Sequence, residues 1–301
     1  MATAFRVPFV DGRQAPLVDQ PLQIGKAHSL QLDGRSRLGH SGHPLDCFGA
    51  LLKAGVCALM TMRTAIVTGA GKRVGAAIAR ALLLDGWAVI AHVHQDDDEV
   101  ADGATKVVAD LADPGCAESI FAVAADHPPV RLLVNNAARF AFDGFGEFSP
   151  AEFDSHMAVN VRAPALLIDR FACLQGGEDS LVVNLLDAKL AAPNPDFLSY
   201  SLSKNALSAL TDLAARALAP RQIRVNGIAP SLMLRSSGQS EENFEAMHAA
   251  NPMRRGVEPD DVIAALRYLI DARSVTGQVI TIDSGQRFMG LGRDVQFLGF
   301  E

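Results

Sequence analysis

The chain lacks an excess of positive charge, paired cysteines and long apolar runs, and each absence excludes a class of function. Its 301 residues carry a formal net charge of −7, so we expect no nucleic-acid partner. The four cysteines show no C-x-x-C spacing and no metal-ligand pattern, which predicts reduced thiols and no metal site. No run of 18 or more apolar residues occurs, so we expect no membrane span and a cytoplasmic location.

Residues 1–62 differ from the rest of the chain in composition and show no sustained hydrophobic period. One interpretation is an N-terminal extension that is partly disordered or used for contacts. The other, which we favour, is that translation starts at Met60 or Met62, directly before a strand-like run. The intact mass of protein expressed from the native gene separates the two, because a mass that includes residues 1–59 contradicts the second.

From residue 63 to residue 290 the chain alternates short apolar strands with helical segments. Strands are predicted at 64–68, 87–93, 105–109, 131–135, 181–185, 224–228 and 279–282, and helices at 73–84, 114–126, 151–175, 200–218 and 258–270. Strands that are apolar throughout indicate a parallel sheet covered on both faces. We therefore expect one α/β domain with a Rossmann-type, doubly wound parallel sheet of about seven strands. The polar stretch 235–255 is predicted as a mobile lid, and residues 291–301 as a C-terminal tail.

A glycine-rich turn, residues 68–75 (TGAGKRVG), joins the first predicted strand to the first helix. In a doubly wound fold a dinucleotide binds here, because glycines let the backbone approach the pyrophosphate and the helix N-terminus supplies N–H donors. Gly69, Gly71 and Gly75 are spaced two and four residues apart, which differs from G-x-G-x-x-G. The strand–turn–helix context nevertheless predicts a dinucleotide site.

Tyr200 and Lys204 lie four residues apart at the start of a predicted helix. Residues at this spacing share a helix face, and an ammonium group one turn away is expected to lower the pKa of the phenol. Tyr200 would then donate or accept a proton near neutral pH. Alone, such a pair is more typical of two surface residues, so its significance depends on the motifs around it.

Ordered motifs make residues 63–290 resemble the short-chain dehydrogenase/reductase family. They are the glycine turn with Arg73 at the position of a family glycine, NNAA at 135–138, Asn160, the Tyr200/Lys204 pair, RVNGIAP at 224–230, and TGQ and DSG at 276–278 and 283–285. The resemblance implies an oxidoreductase with a nicotinamide cofactor. It also implies that Tyr200 donates a proton, Lys204 holds the nicotinamide ribose and Asn160 binds a water molecule. Relatives are homotetramers packed through the Tyr200/Lys204 helix, so we expect a homotetramer.

The end of the second strand bears on the choice between NAD and NADP. NAD-specific members have an aspartate there, whereas this chain has Val93, which favours NADP because a carboxylate would repel a 2′-phosphate. His92 and His94 resemble the H-x-H of NADP-using relatives, although histidines here could equally cap a strand. Although the acidic run 96–99 counts against NADP, we expect NADPH as the cofactor. The predicted cofactor-binding residues are Gly69, Gly71, Lys72, Arg73, Val74, Gly75, His92, His94, Asp110, Asn136, Ala137, Tyr200, Lys204 and Pro230.

Three features resemble the pteridine reductase subgroup of the family. Asp187, 13 residues before Tyr200, replaces the usual serine; Arg73 follows a lysine in the glycine turn; and Phe140 follows the NNA motif. In that subgroup the aromatic ring stacks the pterin against the nicotinamide, although a loop phenylalanine is also typical of a core residue. The resemblance implies NADPH-dependent reduction of a dihydropterin to a tetrahydropterin, with Asp187 orienting the substrate and sharing in proton delivery.

The predicted substrate-binding residues are Arg73, Phe140, Asp187, Tyr200, Leu232 and Met233. Two alternatives remain open. A short-chain carbonyl or 3-oxoacyl reductase is one, and the missing serine counts against it. A non-catalytic NADP(H)-binding sensor is the other, and the presence of Asn160, Tyr200 and Lys204 together counts against that.

Overall fold

The computed structural model describes residues 63–174, 179–236 and 238–298. The predicted extension at 1–62 and the last three residues of the tail lie outside the described residues. The strands are β1 Thr64–Val67, β2 Ala88–Val93, β3 Thr105–Val108, β4 Val130–Asn135, β5 Ser180–Leu185, β6 Ile223–Pro230 and β7 Val279–Ile282. The helices are α1 Arg73–Leu84, α2 Cys116–Ala122, α3 Pro150–Met157, α4 Ala163–Leu174, α5 Leu198–Leu218, α6 Glu241–Ala249 and α7 Pro259–Asp271.

The strands form one seven-stranded sheet in the order β3-β2-β1-β4-β5-β6-β7. Every neighbouring pair is parallel, which confirms the predicted doubly wound sheet. The chain runs outward from β1 to β3 and then returns to add β4 on the other side of β1. The connections after β1 and β4 therefore leave the sheet in opposite directions, which opens a crevice at the carboxyl ends of these strands.

Helices cover both faces of the sheet, and alternate strand residues point to opposite layers. Ala65 and Val67 pack in the layer that contains α1 and α7, whereas Ile66 packs in the layer that contains α2, α4 and α5. Because both faces are covered, most strand positions are apolar rather than every second one. Polar exceptions occur, such as the exposed Lys106 on the edge strand β3. None of the described helices is long and apolar enough to span a bilayer.

Two segments differ from the sequence-based expectations. The single helix expected at 151–175 is divided into α3 and α4 by a π-helical turn, Ala158–Arg162. This turn directly precedes Pro164, which cannot donate a backbone hydrogen bond and crowds the preceding turn. The stretch 235–255, expected to be irregular, contains α6, which begins where the Ser240 side chain accepts a hydrogen bond from Asn243 N. Only Met247 of α6 is buried, so its sequence lacks an apolar period.

Candidate active site

A cleft of about 970 Å³ opens at the carboxyl ends of the strands. Every residue predicted to bind the cofactor or the substrate lines it. Of the predicted catalytic residues, Tyr200, Lys204 and Asp187 line the cleft, whereas Asn160 does not. The topology thus brings together residues from the glycine turn, from the ends of β2, β4, β5 and β6, and from the first turns of α5.

The glycine turn has a backbone that side chains would disrupt. Gly69 has a φ of +64°, which favours glycine. A Cβ atom on Gly75 would lie 2.0 Å from the carbonyl oxygen of Gly69 and 2.5 Å from Nδ2 of Asn136. Because these positions carry no side chain, the turn can pack closely beside the N-terminus of α1. Binding of a dinucleotide phosphate requires this arrangement. The residues present therefore fit a nicotinamide dinucleotide.

Arg73 occupies the position of a family glycine with a φ of 53°, in the region of backbone conformation that glycine adopts most easily. Its guanidinium group donates hydrogen bonds to the carbonyl oxygens of Arg235, at 2.9 Å, and Leu234, at 3.2 Å. The side chain predicted to bind the cofactor and the substrate thus also joins the glycine turn to the loop that follows β6. Sequence reasoning missed this contact, because the two partners are more than 160 residues apart.

The carboxyl ends of β1 and β4 are joined by Thr68 and Asn136. The hydroxyl of Thr68 accepts hydrogen bonds from the backbone N–H groups of Asn136 and Ala137, both at 3.0 Å. The side-chain amide of Asn136 donates to Thr68 O at 2.8 Å. Asn136 therefore holds the turn in shape, and Thr68 is a supporting residue that the sequence-based site did not include.

The two predicted histidines have different environments. His92 is buried; its Nδ1 accepts a hydrogen bond from Gly69 N at 3.2 Å, and its Nε2 lies 3.0 Å from Ala109 O. Burial lowers the pKa of His92, so the ring is neutral and donates from Nε2. His92 therefore links β2 and β3 to the glycine turn, which favours the structural alternative for this residue. His94 is exposed, with Nδ1 4.0 Å from an oxygen of Asp110.

Hydrogen bonds join three of the predicted catalytic residues to each other or to β5. Tyr200 Oη donates to Asp187 Oδ2 at 2.8 Å. The other oxygen of Asp187 accepts a hydrogen bond from Lys189 N at 2.8 Å. Lys204 is buried and donates from Nζ to Leu185 O at 2.7 Å. The carboxylate, and not the ammonium group, is therefore the direct partner of the phenol.

This arrangement shows that the expected lowering of the Tyr200 pKa is wrong for the cofactor-free protein. Burial raises the pKa of Tyr200 well above its usual value, and the charge of Asp187 adds to this effect. Burial also raises the pKa of Asp187 and lowers that of Lys204 to about 8. The Lys204 ammonium lies 5.7 Å from the centre of the tyrosine ring, too far to offset a carboxylate in direct contact. Burial and the carboxylate thus hold Tyr200 in its protonated form.

Asn160 lies behind the cleft, in the π-helical turn between α3 and α4. Its Oδ1 accepts a hydrogen bond from Arg139 N at 2.7 Å, and its Nδ2 donates to Arg139 O at 3.0 Å and to Ser203 Oγ at 2.8 Å. Ser203 lies one position before Lys204 on α5. Asn160 therefore ties the loop after β4 to α5, the helix that carries Tyr200 and Lys204.

Phe140 lies beside Tyr200 and is 42% exposed. Its ring stacks on Phe197, with centroids 4.3 Å apart, and meets Tyr200 edge to face at 4.8 Å. A loop phenylalanine belonging only to the core would be buried, so Phe140 is a partly exposed wall of the cleft. Leu232 and Met233 form another part of the wall, although Met233 is largely buried in the layer of α1 and α7.

Comparison with known proteins places this site in a family. Residues 69–287 match the family model described as enoyl-(acyl carrier protein) reductase. Carbonyl reductase [NADPH] 2 of Sus scrofa is 31% identical over 73% of this chain and 95% of its own length. L-xylulose reductase of Bos taurus is 31% identical over 74% of this chain and 96% of its own length.

Solved structures give the same result. The FolM alternative dihydrofolate reductase 1 of Brucella canis, complexed with NADP, has a TM-score of 0.72 and 36% identity over 76% of this chain and 96% of its own. The 3-ketoacyl-(acyl-carrier-protein) reductase of Brucella melitensis, complexed with NADH, has a TM-score of 0.69 and 25% identity over 75% and 98%. The chain therefore belongs to the short-chain dehydrogenase/reductase family and is an oxidoreductase that uses a nicotinamide cofactor.

Proposed function

We propose that this enzyme reduces a pteridine-type substrate, converting a dihydropterin to a tetrahydropterin with NADPH. The observation that carries the proposal is the contact between Asp187 and Tyr200 beside the partly exposed ring of Phe140. A flat heterocycle with N–H groups at its edge suits an aromatic wall and a carboxylate acceptor. The likeness to FolM alternative dihydrofolate reductases supports the same substrate class.

NADPH is the proposed cofactor, and the bound nicotinamide supplies the hydride. The glycine turn and the N-terminus of α1 would hold its pyrophosphate, and Lys204 its nicotinamide ribose. Val93 at the end of β2 leaves no carboxylate at the position where one would repel a 2′-phosphate. Lys72 and Arg73 add positive charge at the same end of the cleft. The NADP bound in both FolM structures supports this choice.

The residues of the chain supply and control the proton. The two-electron reduction would add a hydride from the bound nicotinamide and a proton from the chain across a C=N bond of the dihydropterin. Tyr200 gives its proton to the ring nitrogen, and its raised pKa keeps that proton available at neutral pH. Asp187 accepts hydrogen bonds from the substrate edge and steadies the phenol. Lys204 would hold the ribose, and Asn160 would bind the water that returns a proton, as the resemblance to the family implies.

A carbonyl reductase is the second candidate, because the carbonyl and L-xylulose reductases are similar in sequence over nearly their whole length. In that chemistry a hydroxyl donor beside the tyrosine stabilises the developing oxyanion. Both carboxyl oxygens of Asp187 accept hydrogen bonds, from Tyr200 Oη and Lys189 N, so neither is arranged to donate to an oxyanion. The site therefore favours the pterin over a ketone.

We also propose that the enzyme is a cytoplasmic homotetramer. Leu202 and Leu213 on α5 are exposed in the single chain, and a second copy packed on this helix would cover them. Light scattering after gel filtration measures the mass. A monomer mass at micromolar concentration contradicts this assembly.

A specificity switch tests the proposed substrate. We would compare kcat/KM for a dihydropterin and for an acetoacetyl thioester in the wild-type enzyme, Asp187→Ser and Phe140→Leu. The serine variant should lose about 10²-fold with the pterin while keeping or gaining activity with the thioester. Phe140→Leu should weaken only the pterin, by about tenfold, because stacking is lost. Equal effects of both variants on both substrates contradict the proposal.

A further inference from the structure

The C-terminal segment, residues 291–298, lies beyond the residues that the family model matches. Leu291, Asp294 and Val295 nevertheless line the cleft together with Tyr200 and Asp187. A segment at the end of a chain is ordered only where contacts hold it. The segment makes charged and polar contacts with the loop between β5 and α5, aromatic contacts with Phe142 and Phe197, and a hydrogen bond from Asn243 of α6 to Leu298 O at 2.6 Å.

Two ion pairs fasten the segment to the loop between β5 and α5. Lys189 Nζ lies 2.9 Å from Asp294 Oδ2, and each of these side chains is 14% exposed. Arg293 Nε lies 2.8 Å from Asp196 Oδ2, and Asp294 N donates to that oxygen at 2.7 Å. Lys189 Nζ also donates to Asp196 O at 2.8 Å. A largely buried pair is screened less by salt than a surface pair, and removing one partner leaves an uncompensated charge.

Aromatic contacts continue from the segment to the substrate wall. Phe297 stacks on Phe197, with centroids 5.8 Å apart, and meets Phe142 edge to face at 5.4 Å. Phe197 in turn stacks on Phe140. The rings of Phe297, Phe197 and Phe140 therefore pack in sequence, so a displacement of the segment removes support from the ring beside the substrate.

Lys189 connects the segment to the proton donor. Its backbone N–H holds Asp187, which accepts the hydrogen bond of Tyr200, while its side chain holds Asp294. The charge of Asp294 contributes, after burial and Asp187, to the raised pKa of Tyr200. The charge of Lys189 opposes the effect of burial, which raises the pKa of Asp187. One residue thus contacts both the catalytic carboxylate and the C-terminal wall.

We propose that Lys189 and Asp294 are positioning residues whose ion pair fixes the C-terminal segment as a wall of the substrate site. Through this pair the segment determines substrate affinity and the pH range of proton transfer. The inference rests on the reductase activity of the family site, and it holds whether that site takes a pterin or a ketone.

The test compares Asp294→Asn and Lys189→Met, singly and together, with the wild-type enzyme. The control is Asp212→Asn, which breaks an exposed ion pair with Arg216 further along α5. The substrate is whichever of a dihydropterin and an acetoacetyl thioester the wild-type enzyme reduces, so failure of the pterin proposal leaves this test intact. The substrate KM, the NADPH Kd, the pH profile of kcat and the rate of tryptic cleavage at Arg287 and Arg293 are measured.

Each single variant should raise the substrate KM about tenfold, while the NADPH Kd stays within about twofold of the wild-type value. The substrate KM of the double variant should not exceed the larger of the two single-variant values. In Asp294→Asn the basic limb of the kcat profile should move to lower pH, because a negative charge near Tyr200 is lost. Tryptic cleavage in the segment should accelerate, whether or not either substrate is reduced. The proposal would be overturned by a tryptic cleavage rate equal to that of the wild type or by an unchanged KM and pH profile. Equal changes in Asp212→Asn would also overturn it.

Discussion

Lys204 is buried at a cost to stability, and replacing it should stabilise the cofactor-free protein while abolishing activity. Burial lowers its pKa from 10.5 to about 8, with the charge of Asp187 opposing part of that effect. The folded state therefore binds fewer protons than the unfolded state between these pH values, so stability rises with pH across that window. Lys204→Met keeps much of the side-chain volume and removes the charge.

The lowered pKa corresponds to a penalty of about 3 kcal/mol at neutral pH, taking about 1.4 kcal/mol for each pH unit. The variant also loses the hydrogen bond from Nζ to Leu185 O, which costs about 1 kcal/mol at any pH. Lys204→Met should therefore be more stable than wild type by about 2 kcal/mol at pH 7. At about pH 9.5 roughly half the penalty is gone, so the two proteins should then be nearly equal.

Urea unfolding of cofactor-free protein, at one fixed protein concentration because assembly contributes to stability, measures this difference at both pH values. Lys106→Met is the matched control, since Lys106 is a more exposed lysine that lies 3.4 Å from Asp96. The change of stability with pH should be larger for Lys204→Met than for Lys106→Met. A Lys204→Met variant that is less stable than wild type at pH 7, with a difference independent of pH, would refute the reasoning.

Three further outcomes are expected. Tyr200→Phe should lower kcat about 10²-fold or more with the NADPH Kd unchanged, as measured by stopped-flow and fluorescence titration; near-normal turnover contradicts its role as the acid. Gly75→Ala places a Cβ atom 2.0 Å from Gly69 O, so calorimetry should show NADPH binding weakened about tenfold or more, and wild-type affinity would mean that the turn adapts. His92 has a lowered pKa, so wild-type stability should fall as the pH drops below about 6.5, where unfolded histidine gains a proton. His92→Asn should lack this dependence in urea melts, and an identical slope in both proteins argues against a buried neutral ring.

The fold was predictable from the sequence because each level of local information agreed with the next. The strands are mostly apolar, and the described strands begin and end within two residues of the predicted bounds. Asp187, 13 residues before Tyr200, was expected to act beside it, and the two side chains are 2.8 Å apart. This expectation followed from the resemblance to the family, in which a serine stands about 13 residues before the tyrosine.

What the sequence did not show depends on contacts between distant residues. The direction of the Tyr200 pKa shift follows from burial and from Asp187 in direct contact, whereas the expected lowering took only the charge of Lys204 into account. The role of His92 depends on the hydrogen bond that it accepts from Gly69 N, in the turn that follows the neighbouring strand β1. The pair of Lys189 and Asp294 joins residues 105 positions apart, and the polar helix α6 has no apolar period to reveal it.

The oxidation of NADPH by purified wild-type enzyme is the most direct test of the central claim. The substrates are 7,8-dihydrobiopterin or dihydromonapterin in one reaction and an acetoacetyl thioester in another. Oxidation with the pterin and not with the thioester is the predicted result, because Asp187 and Phe140 suit a flat heterocycle with N–H groups. Oxidation with the thioester alone would contradict the account and identify the enzyme as a carbonyl reductase in which Asp187 takes the place of the usual serine.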